Sequence, residues 1–215
     1  MNRARRVGWL IAGWLGSAGG LEGQPFEGRI HMQVRSSGGS AVERQEVEYY
    51  VKGERARVEL PGVMGGVAML VSSGTRRMTM LMVAQRQFAE TALPGAPDAV
   101  TPPAAMPRIT RTGRTTSIAG LPCEHVEVAA EGQVADLCLT TALGRLAVNP
   151  MDAMGRATGG SAWQRALGPE EFPLRVTLPG GAVGLEVTAV ERKRLPADLF
   201  SVPLEYSRME PPKRR

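Results

Sequence analysis

The sequence predicts a mainly β protein, a curved antiparallel sheet or half-barrel of about nine or ten strands with a few short helices in or over its concavity. Three observations carry that expectation. Apolar and polar residues alternate with period two along most of the chain, the pattern of strands with one buried face. Glycine-bearing gaps of a few residues separate the alternating runs, as hairpins require. Helical periodicity is confined to three short stretches.

The elements follow in order. FEGRIHMQVR sets Phe26, Gly28, Ile30, Met32 and Val34 on one side of a first strand. EVEYYVKG and ERARVELP form a hairpin broken at Gly53. GVAMLVSSG and RRMTMLMVA form a second about Ser73-Gly74, and QRQFAET continues the meander. Further strands are expected at RTTSIAG, FPLRVTLP and GLEVTAVERKRL. TTALGRLAV and SAWQRALG each suit one to three helical turns, and PADLF suits a single turn opened by proline. LPGAPDAVTPPAAMP, residues 93–107, holds five prolines without periodicity and is an extended insert, not a domain boundary. The expected organisation is a signal peptide over 1–23 and a single β-rich domain over 24–215.

The compartment is written at the N-terminus. Arg3, Arg5 and Arg6 precede an apolar run from Val7 to Leu15 and then small residues, the order of a secretory signal. That run is about nine residues, whereas a membrane span takes roughly 20. An uncleaved short anchor is the alternative. Cleavage after Ala18, Gly20 or Gly23 leaves a protein expected to be periplasmic or secreted in the bacterial envelope, with no stable membrane span. Loss of residues 1–23 removes three arginines and Glu22, lowering the formal charge from +5 to +3. The remaining arginines alternate with acidic residues, as in VERQEVEYYVKGERARVE, and no aromatic platform accompanies them, so nucleic acid is not an expected partner.

Both cysteines fall in LPCEHVEVAAEGQVADLC. EHVEV and QVADL alternate on either side of AAEG, a hairpin signature. Pairing them about the midpoint between Ala130 and Glu131 sets Cys123 opposite Cys138, Val126 opposite Ala135, and Val128 opposite Gln133. Opposed strand residues lie within disulfide reach, and an oxidising envelope preserves the bond. Closing a loop of this length restricts the unfolded chain by roughly 3 kcal/mol on the entropy account. Two buried free thiols are the bland alternative. A metal site is disfavoured, since two cysteines and His125 make an incomplete ligand set.

Several of these segments, in this order, resemble bacterial exported domains of unknown function of the DUF4412 type, which are similar to the LolA/LolB lipoprotein-carrier fold. The matching residues are FEGRI, YYVKGERARVE, MLVSSGTRRMTML with RQFAE, TSIAGLPCEHVEV, the strand returning to Cys138 with LGRL, FPLRV, and LPADLFSVPLEY. The resemblance implies a curved antiparallel sheet cradling short helices around an apolar concavity. It carries no catalytic residue across.

The chain lacks the common catalytic motifs: no G-x-S-x-G, no P-loop and no H-E-x-x-H occur. Its two histidines, His31 and His125, supply no metal centre, and no cofactor or resident metal is expected. Carboxylate pairs such as Glu124/Glu127 and Glu170/Glu171 suit solvated faces. The methionines are more specific. Met78, Met80 and Met82 share one strand face, with Met69 on the neighbouring strand. Such a row is ordinary core, the lining of an apolar pocket, or a thioether site for Cu(I); no histidine or cysteine beside it supports the last. Trp163 is expected to pack a short helix on the sheet. The expected function is that of a non-catalytic exported module binding an apolar ligand, an acyl chain or lipoprotein, in the concave face. The alternative is a structural or protein-interaction module of the envelope with a filled core.

Overall fold

The computed structural model describes residues 25–38, 41–63, 65–93, 106–130, 132–150 and 162–209. The signal segment 1–23 and most of the proline-rich insert lie outside the described residues. Strands β1 (Glu27–Gly38), β2 (Ala41–Lys52), β3 (Arg55–Leu60), β4 (Val67–Ser72), β5 (Arg77–Met82) and β6 (Gln87–Ala92) form one meander. Strands β7 (Arg108–Ile118), β8 (Leu121–Ala130), β9 (Gln133–Thr140), β10 (Phe172–Thr177) and β11 (Val183–Arg192) form another. β1 pairs with β11 and joins the two into one open sheet, in the order β12-β6-β5-β4-β3-β2-β1-β11-β10-β9-β8-β7.

Twelve strands, not nine or ten, therefore make up the sheet. The twelfth, β12 (Ser207–Arg208), is a two-residue parallel bridge to β6. It is too short to carry any alternation. Helix is almost absent from the described residues. A single turn, α1 (Ala162–Arg165), and a 3-10 turn over Ala197–Phe200 behind Pro196 are found. TTALGRLAV forms no helix; residues 141–149 run as turns and irregular chain across the sheet.

Alternation decides which face is core. Ile30, Met32, Val34, Val47, Tyr49, Val58, Leu137, Val176 and Leu185 are buried on the inner face, and burial of each such side chain contributes about 1.5–3 kcal/mol. Gly28 has to be glycine, because a Cβ there would stand 2.1 Å from the Glu191 carbonyl oxygen. Register shifts between His31 and Met32, Pro173 and Arg175, Val176 and Thr177, and Arg111 and Thr115 interrupt the ladders. Such bulges bend strands and increase twist, which curves the sheet. The segment between β9 and β10 crosses the inner face: Leu143, Leu146 and Trp163 join the main core, with Trp163 only 4% exposed.

The outer face has its own cover. Beyond β11 the chain runs over β2 to β6, and Val202 and Tyr206 pack with Phe88 on Ala68, Leu70 and Leu81. The Leu195 N–H donates to Glu27 at 2.6 Å, and Arg57 donates to the Leu199 carbonyl at 3.1 Å. LPADLFSVPLEY is thus a strap, tied largely through backbone atoms.

Candidate functional site

Met78, Met80 and Met82 occupy alternate positions of β5, and Met69 lies on the neighbouring β4. Met69 stands opposite Met80 across the β4–β5 ladder, with Val71 opposite Met78 and Val67 opposite Met82. Met69 is 1% exposed, whereas Met78, Met80 and Met82 are half-buried. Met78 and Met80 pack against the main core on the inner face.

Two openings in the inner face lie at the other end of the sheet. A cleft of about 420 Å³ is walled by Ile109 and Arg111 of β7, Val126 of β8 and Leu139 of β9. Thr141, Ala166 and the turn from Gly168 to Glu171 close it from the crossing segment. A second cleft of about 330 Å³ shares Arg111, Leu139, Thr141 and Glu171 and reaches Pro122 and Cys123. The four methionines line neither of these two clefts. Alternation of inward residues along three neighbouring strands supplies the apolar wall. The bulge between Arg111 and Thr115, where Gly113 takes φ 70°, breaks the β7–β8 ladder beside it.

Arg111 is the polar centre of this region. Its guanidinium bridges Glu124, at 2.8 Å, and Glu171. Those two carboxylates, Glu171 foremost, raise the Arg111 pKa above its ordinary value, so the cation persists. The second Glu171 oxygen accepts the Gly168 N–H at 2.7 Å and shapes the turn. The carboxylate pairs weighed from sequence are thereby separated. Glu124 and Glu171 tie the cleft together, while Glu127 is exposed on the opposite face of β8.

The cysteines are bonded, with Cα atoms 5.2 Å apart. The register differs from the midpoint expectation. Ala130 pairs with Gln133, leaving a two-residue turn in which Gly132 takes φ 77°. His125 therefore stands opposite Cys138, Val126 opposite Leu137 and Val128 opposite Ala135. The disulfide runs diagonally between the strands. A tight two-residue turn permits φ > 0 at glycine and shifts every pairing by two; sequence symmetry about the segment's centre does not report that.

Beside the disulfide, His125 is 7% exposed and has both ring nitrogens engaged. Nδ1 lies 2.7 Å from Asp136 Oδ1, and Nε2 lies 3.1 Å from Thr116 Oγ1. Arg114 reaches Asp136 at 2.9 Å. The order carboxylate, imidazole, hydroxyl is that of a nucleophile relay. Here Thr116 Oγ1 rests 3.2 Å from Cys138 Sγ, and neither cleft is lined by Thr116, His125 or Asp136. The arrangement satisfies a buried histidine, as burial demands. His31, on the outer face of β1, lies between Glu48 at 3.1 Å and Glu191 at 3.3 Å. Among the described residues no three His, Cys, Asp or Glu side chains converge as a metal site would need, and no helix is long and apolar enough to cross a membrane.

Sequence reasoning missed the cleft. Its walls come from three strands and a turn far apart in the chain, and the only local signal was Ile109 alternating beside arginines.

A family model described as a domain of unknown function (DUF4412) matches residues 26–206. Among solved structures, an uncharacterized conserved protein from Thermus thermophilus is 12% identical, with TM-score 0.49, over 84% of this chain and 88% of that one. PNGF-II is also 12% identical, with TM-score 0.50, over 85% of this chain but only 30% of that one. A LolA superfamily protein from Nitrosomonas europaea is 13% identical, with TM-score 0.36, over 82% of this chain and 90% of that one. At 12% identity the likeness to PNGF-II is one of fold, not of function. No curated protein matches the chain.

Proposed function

This chain belongs to the DUF4412 family, a family defined without a function, and from that premise we propose that it is a non-catalytic binding module of the bacterial envelope, periplasmic or secreted, holding an apolar ligand such as an acyl chain or a lipoprotein's lipid in the concave face of its sheet. The cleft of about 420 Å³ beneath β7 carries this reading. Ligand pockets commonly span about 300–1,000 Å³ and are lined chiefly by apolar side chains with a few fixed polar groups. Ile109, Val126, Leu139 and Ala166 supply the first, and Arg111 with its two carboxylates the second. Met69, Met78, Met80 and Met82 are proposed as a further stretch of lining, because thioethers adapt to the shape of what they touch.

One observation favours the second reading, a structural or interaction module. Leu143, Leu146 and Trp163 already fill the middle of the concavity. Native mass spectrometry of protein purified from its own envelope separates the two. A retained lipid mass, displaced when an uncharged lipophilic probe is added, is expected. A bare protein that binds no such probe after delipidation would leave the filled-core reading in its place.

A further inference from the structure

The sheet ends in two edges that the chain treats differently. At one end β12, delivered by the strap, adds to β6: the Ser207 N–H donates to the Arg86 carbonyl at 3.0 Å and the Met209 N–H to that of Phe88 at 2.8 Å. At the other end β7 pairs only with β8 among the described residues. It is eleven residues long, and all but Ile118 are exposed. An edge of this length presents a row of outward N–H and C=O groups and is a template for another strand.

The side chains on this edge select among partners. RITRTGRTTSI carries Arg108, Arg111 and Arg114 and no carboxylate. Arg111 is neutralised by Glu124 and Glu171, and Arg114 by Asp136. Arg108 is exposed at the start of the strand. Since Ile109 pairs with Val128 and Arg111 with Val126, these two face the inner side, and Arg108 faces the outer side. Ile109, 45% exposed, stands on the cleft wall. The bulge after Arg111 confines regular pairing to the first half of the strand. A second copy laid on this edge would bring no carboxylate to Arg108, because the strand has none, whereas opposite charges across strands are stabilising.

We propose that the Arg108–Arg111 edge of β7 is a docking site for an extended segment of a partner protein, added as an antiparallel strand, with apolar residues on the cleft side over Ile109 and Asp or Glu on the outer side against Arg108. Main-chain hydrogen bonds supply affinity in this mode, and alternate side chains supply specificity. This docking does not depend on a lipid in the concavity.

The test uses the mature chain and a short synthetic peptide alternating valine with glutamate, followed by fluorescence anisotropy, beside the same peptide with lysine for glutamate. The glutamate peptide should bind, more weakly at high salt, and the lysine peptide should not. Arg108→Glu should weaken the glutamate peptide about tenfold or more and admit the lysine peptide. Ile109→Pro and Thr110→Pro divide the backbone: one removes an N–H bonded to β8, the other an N–H pointing away. The variant that keeps the melting temperature should lose peptide binding, and hydrogen exchange at residues 108–111 should slow when the wild-type chain binds. Retained binding in that variant, or equal binding of both peptides, overturns the proposal. A concentration-dependent dimer abolished by the same proline would assign the edge to a second copy instead.

Discussion

The phenol oxygen of Tyr49 accepts the backbone N–H of Ala147 at 2.8 Å and that of Val148 at 3.3 Å. A side chain from the second half of β2 thereby holds the irregular segment that crosses the inner face. Tyr49 is fully buried and meets Phe172 edge-on, with ring centroids 5.6 Å apart. Irregular chain over a core must place its N–H groups somewhere, and this hydroxyl takes two.

Tyr49→Phe should leave both N–H groups unpaired, costing about 1–3 kcal/mol and lowering the melting temperature by roughly 2–4 °C per kcal/mol. Amide exchange at Ala147 and Val148 should accelerate. Burial pushes the Tyr49 phenol up to about 12 from 10.0. The unfolded chain then releases its proton first, so the stabilisation is complete below about pH 10 and is lost as pH rises toward 12. Denaturant midpoints measured between those values should fall in the wild type and flatten in the variant; equal slopes would contradict this assignment.

Peptide mapping with and without reductant should recover Cys123 and Cys138 as one linked pair. Replacing both with serine should cost about 3 kcal/mol for a loop of this length, seen as a lower denaturant midpoint. Two freely alkylated thiols in protein taken from the envelope would contradict the bond.

Met80 stands half-buried opposite the buried Met69. If this face is pocket lining, Met80→Trp should reduce binding of an uncharged lipophilic probe with little loss of stability. A closed face would instead be overpacked by the same change, at about 1–3 kcal/mol. Probe titration and thermal melting of the one variant separate these outcomes.

N-terminal sequencing of the native protein should find a first residue between Gly19 and Gln24. Met1 retained in a membrane fraction would identify the segment as an anchor.

Period-two alternation needs only neighbours in sequence. Strands such as β1, β3 and β8 were legible for that reason, with Ile30, Met32 and Val34 buried and the residues between them half-buried, whereas β4 is buried on both faces and most of β7 is exposed. The same logic brought Met78, Met80 and Met82 onto one face and made Pro196 open a single turn before Phe200. Local chemistry also limited Cys123 and Cys138 to each other, since the chain has no third cysteine. The tertiary structure decided what depends on pairing partners and turn geometry. Gly132 closes a two-residue turn that moves His125, not Cys123, opposite Cys138. TTALGRLAV has a helical pattern, yet burial of Leu143 and Leu146 across the sheet, with N–H groups taken by Tyr49, outweighs a weak local propensity. Arg111 finds Glu171 sixty residues away, and the cleft they frame exists only once β7, β8, β9 and the crossing segment meet. The strap residues Val202 and Tyr206 carry no strand pattern at all; their place on the outer face is set by the apolar surface of Leu70 and Leu81, which only the assembled sheet presents.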